Sequence, residues 1–158
     1  NQTVSINLFI VKIFLVLLFL QLIIGAFVSG MDAGKIYNTW PLMGVNYFPD
    51  DSSFKEFLNL KVFDNPSIVQ FIHRNLAYLI IFIYALILLK VINTGSKKLY
   101  KPIIVIGLTL VFQIFLGVVT ILSGVKILFA SLHQINSILI IFSTLYFIFI
   151  SKNKREIN

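Results

Sequence analysis

The chain has 158 residues, of which 58% are hydrophobic and only 12% are charged. Soluble domains carry about 45–50% apolar and about 25% charged residues, so this composition excludes an ordinary soluble protein. The absence of cysteine excludes disulfides, thiolate metal sites and a covalently attached c-type haem. The length suits a single domain.

Four apolar stretches are long enough to cross a bilayer, which takes about 20 residues. In chain order they cover approximately residues 8–29, 67–92, 102–123 and 127–150. We therefore predict an all-α integral membrane protein, a single transmembrane four-helix bundle over residues 1–158. The first stretch is too long, and too polar at its end, for a cleaved secretory signal. Because the sequence does not begin with Met, we expect a fragment or a processed product.

The connections predict one long loop and two short turns. Residues 31–66 form an outer loop, in which Ser52 or Ser53 caps a short amphipathic helix ending at Leu58. Asn65 followed by Pro66 predicts the N-cap and first position of the second helix. The remaining connections are a basic turn that ends where Pro102 opens the third helix, and a tight outer turn at residues 123–126.

The net charge of +7 is distributed unevenly between the two ends of the predicted bundle. One end is strongly basic and has only Glu156 in opposition, with Lys12, Lys90, Lys97, Lys98, Lys101, Lys152, Lys154 and Arg155. At the other end the basic side chains Lys35, Lys55, Lys61, Arg74 and Lys126 are balanced by Asp32, Asp50, Asp51, Glu56 and Asp64. The positive-inside rule then places both termini in the cytoplasm or the matrix. The charge reports topology and argues against a nucleic-acid partner.

A short pattern occurs twice along the chain. In the first and third helices a Gln precedes a Gly by four residues, as Gln21 with Gly25 and Gln113 with Gly117. Each of these helices is followed by a helix with a single His, His73 or His133. The pattern predicts two similar helix hairpins related by a pseudo-twofold axis along the membrane normal. The alternative is chance similarity between apolar helices.

The two His lie inside predicted membrane helices at matching depth. At 1.5 Å per residue, His73 lies roughly 10 Å and His133 roughly 9 Å from the outer start of its helix. Opposed neutral imidazoles at one depth suit axial ligation of a haem iron. Small residues near the same level leave room for a flat macrocycle, and we expect them to line it: Gly25, Gly117, Ala77 and Ser137.

Structural roles compete with this interpretation. Small residues let membrane helices approach, and each His has a simple alternative role in hydrogen bonding across helices. Zinc is disfavoured, because it takes three or four ligands and the predicted helices contain no Cys, Asp or Glu. Arg74 either snorkels to the outer interface or pairs with a haem propionate. Gln70, one turn before His73, is placed to touch the cofactor edge, whereas interhelical hydrogen bonding is expected of Gln21, Gln113, Gln134 and Asn136.

Several runs of residues resemble one known family. The runs at residues 25–34 (Gly-Ala-Phe-Val-Ser-Gly-Met-Asp-Ala-Gly) and 37–43 (Tyr-Asn-Thr-Trp-Pro-Leu-Met) resemble the outer loop of the C-terminal half of haem A synthase. Residues 69–78, which include Gln70-Phe71-Ile72-His73-Arg74, are similar to that half's first haem-ligand helix. Gln113 with Gly117, and the run Leu132-His133-Gln134, are similar to the remaining helix pair. The resemblance covers nearly the whole chain.

The resemblance implies a function. Haem A synthases have two similar four-helix halves and oxidise a methyl group of haem O to the formyl group of haem A. Their C-terminal half holds a haem b through two His, which correspond to His73 and His133. The N-terminal half holds the substrate haem and an acidic catalytic residue. This chain then corresponds to the haem-b half, an electron-transfer module, and Asp32 is expected to cap or hydrogen-bond the loop.

The resemblance also implies partners and a location. The expected partners are membrane lipid, an N-terminal four-helix half absent from this sequence, haem O synthase and cytochrome oxidase assembly factors. The expected location is the bacterial inner membrane or the mitochondrial inner membrane. Two other interpretations stay open: a self-contained b-type cytochrome that passes electrons to another membrane protein, and a cofactor-free assembly subunit in which the His pack.

Overall fold

The computed structural model describes residues 7–58 and 60–152. In chain order its long helices are α1 (Leu8–Gly30), α2 (Pro66–Thr94), α3 (Lys97–Leu122) and α4 (Ile127–Lys152). Each is long and apolar enough to cross a membrane, so the predicted all-α, four-span architecture is confirmed. The predicted basic end also includes Lys154 and Arg155, opposed by Glu156, and these three lie outside the described residues.

Local sequence signals account for most helix ends. The Asn65 side chain accepts hydrogen bonds from Ser67 N at 3.0 Å and Ile68 N at 3.4 Å, and Pro66 occupies the first helical position, as predicted. Asn7 caps α1 in the same way, through Phe9 N at 2.9 Å. These side chains satisfy backbone donors that a helix start leaves without partners.

The third helix begins earlier than expected. Gly95, with φ of 62°, ends α2, and the extended Ser96 leads directly into α3. Pro102 therefore lies inside α3 and does not open it. Because proline has no N–H to donate, α3 lacks the backbone hydrogen bond that residue 102 would otherwise make.

The helices pack as two neighbouring hairpins. The most extensive packing joins α1 with α2 and α3 with α4, and further contacts join α1 with α4 and α2 with α3. The main apolar core lies toward the end where α1 and α3 begin and includes Val11, Phe14, Val91, Ile103 and Phe147. Many other apolar side chains face outward, such as Leu108, which is 66% exposed. A bilayer would cover such a surface at no cost.

The loop between α1 and α2 is folded over the opposite end of the bundle. It contains short 3-10 helices at Ala33–Lys35, Phe54–Leu58 and Leu60–Asp64. The expected short helix is therefore present as a 3-10 turn. Its cap uses Ser53, because Lys55 N donates to Ser53 Oγ at 3.4 Å while Ser53 N donates to Glu56 Oε1 at 3.0 Å. This reciprocal pair is a capping box.

The turn between α3 and α4 touches that loop. Gly124 and Val125 both have positive φ, 70° and 60°, which is strained for a β-branched residue such as Val125. A Cβ at Gly34 would lie 3.1 Å from Val125 Cγ2, so glycine is required for this close approach. Asn38 Nδ2 also donates to Ile121 O at 3.1 Å. The loop of the first hairpin is thus attached to the end of the second.

Candidate functional site

Each His packs against the glycine of its own hairpin. A Cβ built on Gly25 would lie 3.2 Å from His73 Cε1, and one built on Gly117 would lie 3.0 Å from His133 Cε1. Both distances are tighter than an ordinary van der Waals contact. Glycine at these two positions therefore lets an imidazole lie flush against the neighbouring helix.

A glutamine side-chain amide contacts Nε2 of each imidazole ring. Gln21 Nε2 lies 3.3 Å from His73 Nε2 and donates to His73 O at 3.0 Å. Gln113 Nε2 lies 3.2 Å from His133 Nε2. Since an amide nitrogen can only donate, Nε2 of both rings acts as the acceptor and carries the lone pair. Neutral imidazole with its proton on Nδ1 is the form that offers Nε2 to a metal.

A backbone contact fixes this form at His133. His133 Nδ1 lies 3.1 Å from Gln113 O, an oxygen that can only accept, so Nδ1 carries the proton. A carbonyl that holds the second ring nitrogen is the usual support of a metal-binding His. At His73 the corresponding Nδ1 is buried and has no partner among the described residues.

Asn136 holds Gln113 in place. This buried side chain, 4% exposed, donates to Gln113 Oε1 at 2.7 Å and to Thr109 O at 2.9 Å. The position three residues after His73 is Leu76, and Gln21 Oε1 is buried without a partner in the described part of the chain. The two hairpins therefore match in Gln, Gly and His but differ in how the Gln is supported.

The expected interhelical amides are found at three positions. Gln21, Gln113 and Asn136 all bond across their hairpins. They were expected to hydrogen-bond between helices but were not placed in the site. The four-residue spacing between Gln and Gly is the sequence pattern that could have placed Gln21 and Gln113 at the site. It puts each Gln one turn from the Gly on the same helix face.

Arg74 and Gln70 bind the outer loop in this structure. Arg74 donates through one terminal nitrogen to Tyr37 O at 3.0 Å and through the other to Leu42 O at 3.2 Å. Gln70 Nε2 also donates to Tyr37 O at 3.0 Å. Both side chains are buried, Gln70 at 1% and Arg74 at 7% exposure. They anchor residues 37–42 to α2, on the turn that carries His73.

The other predicted site residues lie on the same helices. Ala77 follows His73 by one turn and is half-buried. Ser137 follows His133 by one turn, and its hydroxyl donates to Gln134 O at 2.6 Å within α4. The Ser137 hydroxyl is therefore satisfied within its own helix.

A hydrogen-bonded cluster closes the outer loop over the start of α2. Tyr37 donates to Asp50 Oδ1 at 2.5 Å, and Asp51 accepts from Ser67 at 2.6 Å and from Ser52 at 2.9 Å. Burial, together with the bond to Asp50, raises the pKa of Tyr37 to about 12. Burial acts to raise the pKa of Asp51, but the hydrogen bonds from Ser67, Ser52 and Tyr37 outweigh it and lower that pKa.

The donor set available to a metal is narrow. Within residues 7–58 and 60–152, no group of three or more His, Asp or Glu side chains gathers at one place. Among the side chains of the described membrane helices, the two imidazoles are of the type that most commonly ligates metals.

Comparison with known proteins identifies relatives over nearly the whole chain. A sequence model of the family described as cytochrome oxidase assembly protein matches residues 3–145. A Heme A synthase of Pelagibacter ubique (strain HTCC1062) is 45% identical over 147 residues, which cover 93% of this chain and 42% of the relative. A Heme A synthase of Wolbachia pipientis wMel is 44% identical over 138 residues, 87% of this chain and 38% of the relative.

These relatives confirm the resemblance drawn from the sequence. The chain spans less than half the length of the curated relatives it matches. No solved structure matches it.

Proposed function

Because this chain belongs to the cytochrome oxidase assembly protein family, we propose that it is the haem-b-binding half of a haem A synthase. His73 and His133 would hold the haem iron. The relatives that carry the name Heme A synthase support this assignment. In the whole protein the N-terminal half would hold haem O, whose methyl group is oxidised to the formyl group of haem A.

The observation that carries the proposal is the matched setting of the two imidazoles. Each ring lies against a glycine, and each Nε2 accepts from a Gln amide. Such an Nε2 carries no proton, as an iron ligand requires, and the Gln amide would release it when iron binds. A larger side chain at either glycine would press on the ring, so both glycines leave room for an imidazole against the neighbouring helix.

The unpartnered polar atoms also fit a bound group. Gln21 Oε1, His73 Nδ1, Gln70 Oε1 and Arg74 Nε are buried without partners in the described residues. Buried polar atoms normally have hydrogen-bond partners, so their clustering on α1 and α2 favours a site that a polar-edged ligand completes. Arg74 holds loop carbonyls here, and its Nε remains for a haem carboxylate.

The residues around the two imidazoles would determine the chemistry of a bound haem. A haem held by two imidazoles supplies a one-electron centre with no open coordination position. Gln113 O keeps the His133 proton on Nδ1, and Gln113, itself held by Asn136, keeps the ring oriented. The outer loop, attached through Arg74 and Gln70, shields this end of the bundle from water. The arrangement suits electron transfer and leaves oxidation of the substrate haem to the other half.

The proposed location is a bacterial inner membrane. Both termini lie on its cytoplasmic side, because the basic residues segregate to the end where α1 and α3 begin. The proposed partners are the N-terminal half, haem O synthase and cytochrome oxidase assembly factors. The N-terminal half follows from the greater length of the relatives, and the assembly factors follow from the description of the family. Haem O synthase follows from haem O as the proposed substrate.

Haem content tests the proposal. The purified chain should show the visible spectrum of a six-coordinate b-type haem at about one haem per chain. His73→Ala and His133→Ala should each lose the haem or the six-coordinate spectrum, whereas Gln134→Ala, an exposed amide beside His133, should keep both. A haem-free wild-type chain would instead support a cofactor-free assembly subunit.

Product analysis separates a synthase half from a free-standing cytochrome. Cells that express this chain with a four-helix half from a relative should form haem A, and cells with this chain alone should not. Formation of haem A by this chain alone, or its absence from both strains despite a haem-loaded chain, would contradict the assignment as half of a synthase.

A further inference from the structure

A groove separates α3 from α4 at the basic end of the bundle, far along both helices from His133. Its volume is about 510 Å³, and its walls include Lys98, Lys101, Pro102, Val105, Tyr146 and Ile150. Ligand sites in proteins commonly have volumes of about 300–1,000 Å³, so the groove is large enough for a phospholipid headgroup and the first part of its chains.

Helical spacing places these side chains on two facing stripes. Lys98, Lys101 and Val105 are three and four residues apart, so they share one face of α3. Tyr146 and Ile150 are four residues apart and share one face of α4. The α3 stripe is polar toward the end of the bundle, at Lys98 and Lys101, and apolar toward its middle, at Val105. This gradient matches the headgroup and acyl region of a lipid.

Among the described residues the two lysines have no acidic partner. The four helices contain no Asp or Glu, and the one ion pair among the described residues joins Lys35 to Asp32 at the other end. The first turn of α3 adds to the positive potential, since Ser96 provides no side-chain cap for its free N–H groups. Helical side chains lean toward the N-terminus, so Lys98 and Lys101 reach toward the same place. An anion would be attracted here.

The apolar wall selects a lipid over a free anion. Val105 is 44% and Tyr146 56% exposed, and both lie in helices whose outer surface faces the bilayer. A small phosphate would leave this wall uncovered, whereas an acyl chain would cover it. Tyrosine also prefers the membrane interface, where its ring is apolar and its hydroxyl reaches water.

We infer that the groove between α3 and α4 binds one anionic phospholipid, with its phosphate at Lys98 and Lys101 and an acyl chain along Val105. Basic pockets between membrane helices on the cytoplasmic side recognise such headgroups. The site is separate from the His pair, and its test does not depend on haem.

Native mass spectrometry of the full purified chain tests this site. The probes are phosphatidylglycerol and phosphatidylcholine with the same acyl chains. Wild type should bind phosphatidylglycerol about tenfold more tightly, since each lysine near an anionic surface contributes a severalfold preference. The double variant Lys98→Gln with Lys101→Gln should lose most of this preference. Circular dichroism checks that the variant keeps its helices.

Matched controls separate a site from general charge. Lys12→Gln with Lys90→Gln removes the same charge from exposed positions at the same end and should keep the preference. Val105→Phe fills the apolar wall and should weaken binding of both lipids. Equal loss in the two double variants would overturn the site in favour of diffuse electrostatics. Full competition by inorganic phosphate would show that the acyl chain contributes nothing, and absence of any preference in wild type would remove the proposal altogether.

Discussion

Asn136 donates to Gln113 Oε1 at 2.7 Å, and this bond leaves the Gln113 amide nitrogen directed at His133. The first hairpin has Gln21 beside His73 but Leu76 at the position that corresponds to Asn136. The glutamine beside His133 therefore has its side-chain oxygen bonded to Asn136. The glutamine beside His73 has a side-chain oxygen without a partner in the described residues. This difference predicts that removing the support of Gln113 lowers the free energy of unfolding, whereas Gln21 has no such support to lose.

Asn136→Leu copies the first hairpin into the second. It should lower the free energy of unfolding by about 1 kcal/mol, because interhelical hydrogen bonds in membranes contribute about 0.6 kcal/mol each and Asn136 makes two. Thermal denaturation in detergent measures the change. Gln134→Leu, at an exposed position on the same helix, is the control and should have little effect. Equal shifts in the two variants would show that Asn136 supports nothing in particular.

Alanine at Gly117 or Gly25 should displace a His ring. The new Cβ would lie 3.0 Å from His133 or 3.2 Å from His73, so Gly117→Ala should be the more disruptive. Overpacking of this kind costs about 1–3 kcal/mol. Haem content and thermal stability should both fall.

Gly30→Ala is the matched control for these variants. Nothing lies within 4 Å of a Cβ at Gly30. Because alanine is the better helix former, by about 1 kcal/mol at an interior position, Gly30→Ala should be neutral or slightly stabilising. If all three alanine variants behaved alike, the close packing of the imidazoles would have no functional meaning.

Arg74→Gln should loosen the outer loop even without haem. Arg74 holds the carbonyls on both sides of Trp40, the single tryptophan of the chain. Acrylamide quenching of tryptophan fluorescence should therefore increase in this variant. Lys126→Gln removes a charge at the same end of the bundle and should leave quenching unchanged. Unaltered quenching in Arg74→Gln would show that the loop is held elsewhere.

The Asp51 cluster makes stability depend on acid pH. The pKa of Asp51 is lower in the folded chain than the ordinary 3.8, so its contribution to stability is present above that value. The contribution is lost as pH falls through the lower, folded-state pKa. The difference in melting temperature between wild type and Asp51→Asn should shrink on acidification from about pH 6 to about pH 3. Asp64→Asn, at an exposed position in the same loop, should show no such trend, and a constant difference for Asp51→Asn would rule out this role.

Local and periodic features of the fold were predictable from the sequence. Apolar length marks the membrane spans, and Asn65 with Pro66 marks a helix start, because both signals act within a few residues. The Gln–Gly spacing and the single His of each hairpin pointed to the site for the same reason. The prediction that Pro102 opens α3 was wrong, because a proline inside a helix gives no local signal that the helix has already begun.

Contacts that join distant segments were not predictable. Arg74 bonds to Tyr37 O and Leu42 O, and backbone carbonyls carry no sequence signature. The placement of Gly34 against Val125 likewise depends on how the outer loop crosses the second hairpin. Such contacts follow from packing, which sequence patterns of one segment do not encode.

Electron paramagnetic resonance of the oxidised, haem-loaded chain measures whether His73 and His133 ligate the same iron. Two imidazoles on one iron give a low-spin ferric signal. We expect this signal in wild type and its replacement by a high-spin signal, or loss of haem, in both His73→Ala and His133→Ala. An unchanged low-spin signal in either variant would show that the two His do not share one iron.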